Sequence, residues 1–355
     1  MHQKPIIAHV NLAHGFRGGE RQTELLIQAL ATKYGLSQFL VCREDSPLID
    51  HLQGLSHLQI VPLKNKPDAR LSGHCRLGSK AMLLHAHEAR AAQWVYLHAL
   101  FYKTPYIITR RVPEPIHDNF LNRKINGKAA SLVAISQVIA QGLKQQFKRS
   151  IELIPSVNAG FAPNKDNSDK LQAQYAHNFV IGQVGALVDR HKGQSVTLQA
   201  ASLLKSKIPH VKVLFLGSGE DEAKLKDMAQ NLGVDAEFLG FKSNVADYLP
   251  CFDVFAFPSN YEGLGSVLLD VMAAKVPIVA SNVGGIPDIV KDEESGLLIQ
   301  TQNSQALADK IALIINNIQL RQKLIAGGLA VAQKHTPEHM ADDYYLLYQQ
   351  ILRQF

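Results

Sequence analysis

"FPSNYEGLGSVLLDVMAAKVPIVASNVGGIPDIV", residues 257–290, reads as strand, turn, helix and strand. The run DVFAFP at 253–258 is rich in β-branched and aromatic residues and stops at Pro258. SVLLDVMAAK can then turn Val267, Leu268, Val271 and Met272 toward a sheet before PIVAS begins at 277. Gly263 and Gly265 therefore sit in a strand-to-helix turn, where glycine lets the backbone approach a ligand. The helix-leading N–H groups at Leu264, Gly265, Ser266 and Val267 favour a phosphate. Glu262 precedes the turn, and Asp270, eight positions on, leans back toward it. Two acceptor-only carboxylates flanking a diphosphate suit a ligand with hydroxyls at both ends, a ribose and a hexose, as in a sugar nucleotide. The same spacing also describes an early-helix aspartate and a solvated loop glutamate, so by itself it leaves both readings open.

Outward from this stretch the same grammar repeats. Strand-like runs occur at 6–10, 37–42, 81–87, 105–109 and 131–136, and again at 179–185, 211–217, 236–240, 253–258 and 277–281. Helical patterns separate them; in GERQTELLIQALATKYG, Leu25, Leu26, Ala29 and Leu30 share a face and Gly35 can end the helix. The expectation is an α/β protein of two Rossmann-like domains facing a central cleft. The polar, turn-rich stretch 155–170 reads as the linker, and no short repeat or low-complexity tract interrupts the pattern.

The composition agrees with this. A chain of 355 residues with 46% hydrophobic residues can bury two cores. Lys+Arg 37 against Asp+Glu 31 is a modest basic excess that suits anionic ligands without implying nucleic acid. Cys42, Cys75 and Cys251 are unclustered, which argues against a disulfide framework or a zinc set and for a reducing compartment. The N-terminal apolar stretch is short and no run approaches the roughly 20 apolar residues of a spanning helix, so neither a leader nor a span is expected.

Residues 257–290 resemble the donor segment of the retaining family 4 glycosyltransferases of the B-type fold, with E-x7-E followed by a strand and a G-G-x-P-E-type loop. HGFRGGERQTELL resembles that family's N-terminal G-G loop, LLHAHEARAA its H-x-H segment, VGALVDRHKGQ its donor-phosphate segment, and FLGSGEDEAKLKDMAQNLG its fourth core strand and following helix. The resemblance implies domains at 1–157 and 158–336, the second for the donor, with 337–355 a helix returning to the first. It implies that Glu262 binds the transferred sugar, Asp270 the ribose and Lys192 the diphosphate. The backbone at Gly240 and Phe241 would hold the base, and Gly18 and Gly19 would line the acceptor side. Three positions depart from the family pattern. Asp270 stands for a glutamate. Ala186 stands where an arginine is expected, with Arg190 a candidate replacement near Lys192. A histidine after the 105–109 strand is replaced by Arg110 and Arg111, either of which can meet a sugar, a phosphate or an anionic acceptor.

Other motifs carry less. His85 and His87 share a strand face as a metal pair would, but no third ligand has matching spacing, and His87 and Glu88 at the strand end suit sugar hydroxyls or simple strand-end hydrogen bonds. GFRGGE is neither the dinucleotide nor the Walker fingerprint, and GSGE at 217–220 can serve chain reversal or lie near the base. Basic residues at Arg123, Lys124 and Lys128, and at Lys144, Lys148 and Arg149 beside Leu143 and Phe147, form either a face for an anionic membrane or a solvated one. Tyr344, Leu347 and Ile351 form a packing stripe.

Together these readings predict a metal-independent hexosyltransferase, and the resemblance implies that it is retaining. It would use a nucleotide sugar, UDP-linked, as co-substrate with no other cofactor, and a glycan or lipid-linked acceptor, in bacterial surface polysaccharide or lipopolysaccharide synthesis. It would be cytoplasmic, free or peripheral on the inner face of the membrane. A sugar-nucleotide epimerase of the same shape and a non-catalytic sugar-nucleotide-binding protein are the alternatives.

Overall fold

The computed structural model describes residues 4–64, 67–160 and 162–355. Residues 1–3 and 65–66 of the expected first domain, and Phe161 of the expected linker, lie outside the described residues. The chain divides into two compact units, Met1–Ala159 with Thr336–Phe355, and Gly160–His335.

The first unit holds a parallel sheet of β1 (Ile7–Asn11), β2 (Gln38–Arg43), β3 (Leu58–Leu63), β4 (Leu83–Ala86), β5 (Tyr106–Arg110), β6 (Ser131–Ala134) and β7 (Glu152–Leu153), in the order β3-β2-β1-β4-β5-β6-β7. Alternation along each strand supplies both faces. Ala8, Val10, Leu84 and Ala86 pack on one side with Trp94 and Val95; Ile7, Leu83, Ile107 and Val133 pack on the other under the helix Gly18–Tyr34. The terminal helix Pro337–Leu352 joins that second face through Met340, Tyr344, Leu347, Tyr348 and Ile351. Burying each such side chain is worth about 1.5–3 kcal/mol, which makes this helix part of the first core. Its Asp342 pairs with Lys33 at 2.6 Å and accepts from Tyr34, whose ring stacks on Tyr345 at 3.9 Å.

The second unit repeats the plan with β8 (Phe179–Val184), β9 (Val211–Leu216), β10 (Asp235–Phe238), β11 (Val254–Phe257), β12 (Ile278–Ser281) and β13 (Leu297–Ile299), ordered β10-β9-β8-β11-β12-β13 and all parallel. In both sheets the order reverses beside the first strand, between β1 and β4 and between β8 and β11. The carboxyl ends of those pairs are the natural ligand positions of such sheets.

The strands differ from the sequence expectation at the edges. β3, β7 and β13 are not anticipated, and all three lie at a sheet edge. β3 contains Pro62, which cannot donate to a ladder and belongs on an edge; β7 has two exposed residues; β13 has three residues. The expected linker is also shorter than 155–170, because a helix begins at Lys165 with Asn164 as its cap, accepting from Asn167 N–H at 3.1 Å. Its buried residues are only Ser168 and Tyr175, so its polarity hid it.

Candidate active site

In the second unit the loop after β8 and the loop after β11 meet. Two glycines make the approach possible. Gly193 has φ +64°, and a Cβ there would lie 2.2 Å from the Pro258 carbonyl oxygen; Gly284 has φ +59°, and a Cβ there would lie 2.0 Å from the Glu262 carbonyl oxygen. The first draws Lys192 against the end of β11, and the second lets the loop after β12 clasp the Glu262 backbone, where Gly285 N–H donates to the Glu262 carbonyl at 3.3 Å.

The result is an ion pair between Lys192 Nζ and Glu262 Oε1, with the side chains 25% and 11% exposed. Ser259 Oγ donates to the same carboxylate oxygen at 3.2 Å, and the ammonium lies 5.4 Å from the centre of the Phe257 ring. Behind the pair, Gln183 Nε2 donates to the Lys192 carbonyl at 2.8 Å and Gln183 Oε1 accepts from Thr197 Oγ1 at 2.7 Å. Asn260 ties the two loops together by its N–H to His191 O at 2.8 Å and its Nδ2 to Arg190 O at 3.2 Å. Ser259, Gln183, Gly193 and Gly284 are not among the sequence candidates. The only local signals for them are the glycine after Lys192 and the G-G pair at 284–285.

Leu264 is buried and Gly265 has φ +82°, so both serve the turn through their backbones. Among the described residues, the N–H groups of Leu264, Gly265, Ser266 and Val267 donate to no protein acceptor. The helix Val267–Ala273 follows, with Asp270 half-buried in its first turn. Leu268, Leu269, Val271 and Met272 are its buried face, so Leu269 takes the place expected for Val267. Arg190 is exposed and faces Glu220 at 3.7 Å, away from the Lys192 pair. Gly240 is bridged to Gly217, and Phe241 is 72% exposed.

In the first unit the switch point holds a chain of imidazoles. β1 and β4 pair in register at His9 and His85, with His87 just beyond. His9 thus supplies the third imidazole that spacing did not reveal, and one ligand nitrogen from each lies within 4.8 Å of the others. Every ring nitrogen already has a partner. His9 meets His87 at 3.0 Å and Gln38 Oε1 at 3.0 Å; His85 meets Tyr348 OH and Thr109 Oγ1, each at 2.7 Å; and His87 Nδ1 meets Arg111 Nη2 at 3.3 Å. A metal ion would have to displace these bonds. Burial pushes the His9 imidazole down to about 4 and holds His85 and His87 well below the usual range. Neighbouring imidazoles and Arg111 add to the effect at His85 and His87, so the rings are neutral.

Several expectations are corrected here. His87 is enclosed within this network and does not offer itself to sugar hydroxyls. Glu88 caps the helix Ala89–Tyr102: its carboxylate accepts from Arg90 N–H and Ala91 N–H, each at 2.6 Å, and from Leu12 N–H at 3.1 Å. Burial, partly offset by those bonds, pushes its pKa above the usual carboxylate value. Arg110 and Arg111 diverge. Arg110 donates to the Glu114 carbonyl at 2.6 Å and lines a groove of about 380 Å³, whereas Arg111 turns inward to His87 and lies beside Gly19. Arg149 does not share a free basic face with Lys144 and Lys148, because its guanidinium donates to the carbonyls of Asn126, Ala129 and Ala130.

Two doubly wound parallel sheets, one carrying a lysine–glutamate pair and open N–H groups at its switch point, define a two-unit α/β protein. The family described as glycosyl transferases group 1 matches residues 164–330, so the second unit is a group 1 glycosyltransferase domain. The chain is 30% identical over 211 residues to the capsular polysaccharide biosynthesis glycosyltransferase CapM of Staphylococcus aureus, covering 55% of each chain. It is 30% identical over 151 residues to the lipopolysaccharide core biosynthesis glycosyltransferase LpsE of Rhizobium meliloti, covering 42% of this chain and 43% of LpsE. The chain thus spans about half the length of these curated relatives. The crystal structure of the Anabaena protein HepE, solved with UDP and glucose, superposes with a TM-score of 0.84 at 20% identity, over 98% of this chain and 100% of HepE. The fold is therefore that of the B-type glycosyltransferases.

Proposed function

We propose that this protein transfers a hexose from UDP-hexose to a glycan or lipid-linked acceptor with retention of anomeric configuration, in bacterial surface polysaccharide or lipopolysaccharide synthesis. The observation that carries the reading is the Lys192–Glu262 pair, fixed beside four N–H groups without protein partners. In this reading Lys192 and the N–H groups at 264–267 hold the diphosphate and stabilise the charge that develops on it, with Arg190 swinging in from its exposed position. Glu262 and Ser259 fix hydroxyls of the hexose, Asp270 takes the ribose, and the base lies against the backbone at 240–241 with the exposed Phe241 ring available for stacking. Charge stabilisation is assigned wholly to protein groups, so no metal or other cofactor enters the scheme. CapM and LpsE support a surface-glycan pathway, and the UDP and glucose held by HepE support the donor.

We place the protein in the cytoplasm, peripheral on anionic lipid. No helix among the described residues is long and apolar enough to cross a membrane. Phe120 (74% exposed) and Leu121 stand beside Lys124 on the helix Phe120–Lys128, an apolar and cationic pairing suited to such a surface.

A thermal-shift screen of nucleotide sugars tests the donor, since a ligand at 100 times its Kd adds about 2.7 kcal/mol. Release of UDP that depends on both donor and acceptor then separates transfer from epimerisation and from silent binding. A protein that no nucleotide sugar stabilises would refute the proposal.

A further inference from the structure

The one-turn helix Asp189–Lys192 cannot hold itself. A single turn fixes more dihedrals than its few hydrogen bonds offset, so its shape is imposed from outside. Asn260, from the loop after β11, donates to the carbonyls of Arg190 and His191, and at the other end Asp221 Oδ2 accepts from Asp189 N–H at 2.8 Å. The Lys192 carbonyl is held differently. No backbone N–H among the described residues donates to it, and its partner is the Gln183 amide on β8, 2.8 Å away.

That amide has one possible orientation. A carbonyl only accepts, so the atom facing the Lys192 oxygen must be Nε2. Gln183 Oε1 then faces Thr197 Oγ1 at 2.7 Å, and the threonine hydroxyl must donate to it. Rotating the amide by half a turn would set Oε1 against the Lys192 carbonyl, two acceptors in contact. Thr197 lies in the helix Gln194–Leu204, where a threonine hydroxyl often bonds the carbonyl four residues back; here it is committed to Gln183. Both residues are buried, and Gln183 shares its strand face with Ile181, a member of the apolar core that includes Val196 and Leu198. An apolar pair would fill that space without the cost of burying an amide and a hydroxyl.

The buried pair reaches the site through one peptide. Lys192 N–H donates to the Val188 carbonyl at 2.9 Å, so the bond from Gln183 to the Lys192 carbonyl holds the other side of the same Cα. The direction in which the side chain leaves is thereby set. The lysine stem runs past Gly185, where a Cβ would lie 3.7 Å from Lys192 Cε, and ends on Glu262. A flexible four-carbon stem keeps its ammonium in one place only if its base is fixed.

We propose that Gln183, oriented by Thr197, is a positioning residue that sets the Lys192 ammonium where it meets the phosphates of the nucleotide donor. The phosphate role of Lys192 rests on the transfer reading above; the control of Lys192 by the buried pair does not. Full-length protein labelled with 13C-lysine provides the test, with the Lys192 Cε signal identified by its loss in Lys192→Arg. Thr197→Val removes the hydroxyl and Gln183→Met the amide, each keeping the shape, whereas Thr197→Ser keeps the hydroxyl. The Lys192 signal should move toward that of the exposed lysines in the first two variants and stay at its wild-type position in Thr197→Ser. UDP and uridine are titrated calorimetrically into the same proteins. UDP affinity should fall about 2- to 12-fold in Thr197→Val and in Gln183→Met, the worth of one neutral hydrogen bond, with uridine unchanged and Thr197→Ser like the wild type. A merely structural pair would lower Tm in both variants and leave the Lys192 signal in place, and that result would overturn the proposal. So would a UDP affinity that is unchanged in both, or a loss shared equally by uridine. A Lys192 signal that responds as expected in a protein that binds no UDP would sink the donor reading and leave the control of Lys192 standing.

Discussion

The Lys192–Glu262 pair makes the two charges interdependent, and this can be measured. The ammonium is one-quarter exposed and the carboxylate about one-tenth, so their attraction is only partly screened. A diphosphate arriving at Lys192 meets a cation already shared with Glu262. Lys192→Ala removes a charge-assisted bond worth about 1.5–3 kcal/mol and leaves Glu262 facing the phosphates, so UDP should bind about 10- to 150-fold more weakly. Uridine, which carries no phosphate, should bind as before. Glu262→Gln keeps the shape and frees the ammonium, so UDP affinity should hold or rise while transfer falls about 10-fold or more through loss of hexose positioning. In the double variant the UDP loss should be smaller than in Lys192→Ala alone, because the repulsive carboxylate is gone as well. Calorimetric titration of uridine and UDP into the four proteins, with turnover of the donor found by screening, decides the matter. Equal loss of UDP affinity in Lys192→Ala and Glu262→Gln would refute the reasoning, since it would mean that both groups hold the diphosphate.

Asp270→Ala should weaken UDP and the nucleotide sugar to the same degree, about 10- to 150-fold by calorimetry, as expected of a ribose contact; a loss confined to the sugar donor would move Asp270 to the hexose. Gly193→Ala places a Cβ 2.2 Å from the Pro258 carbonyl oxygen at φ +64° and should cost about 1–3 kcal/mol, lowering Tm by several degrees; an unchanged melting curve would contradict the close approach. His9 is neutral in the fold with its constant near 4, below the unfolded value of 6.5, so the unfolded chain binds more protons between these limits. Stability should be complete above pH 6.5 and decline as pH falls toward 4, and a Tm that is flat between pH 6.5 and 5 would count against a neutral buried chain. Binding to anionic vesicles should weaken with added salt and on replacing Lys124, Lys144 and Lys148 by glutamine, whereas vesicle binding indifferent to both would remove the membrane surface from the scheme.

Much of this was legible because it is local. Strands buried on both faces must be continuous apolar runs, and those central strands were all visible in the sequence. So was the turn carrying Glu262 through Val267, where glycine placement follows from backbone sterics alone. Three of the four edge strands escaped such reading, since β3, β7 and β13 have one side open and tolerate a proline or very short length. The rest was decided by tertiary structure, because register and close approach join residues that no local pattern links. His9 meets His85 and His87 only once β1 pairs with β4, and Lys192 reaches Glu262, 70 residues away, only because Gly193 and Gly284 let three loops touch. Neighbouring arginines likewise read alike in sequence and part in the fold. Successive strand-end residues point in opposite directions, so Arg111 turns to the imidazole chain while Arg110 turns to the groove.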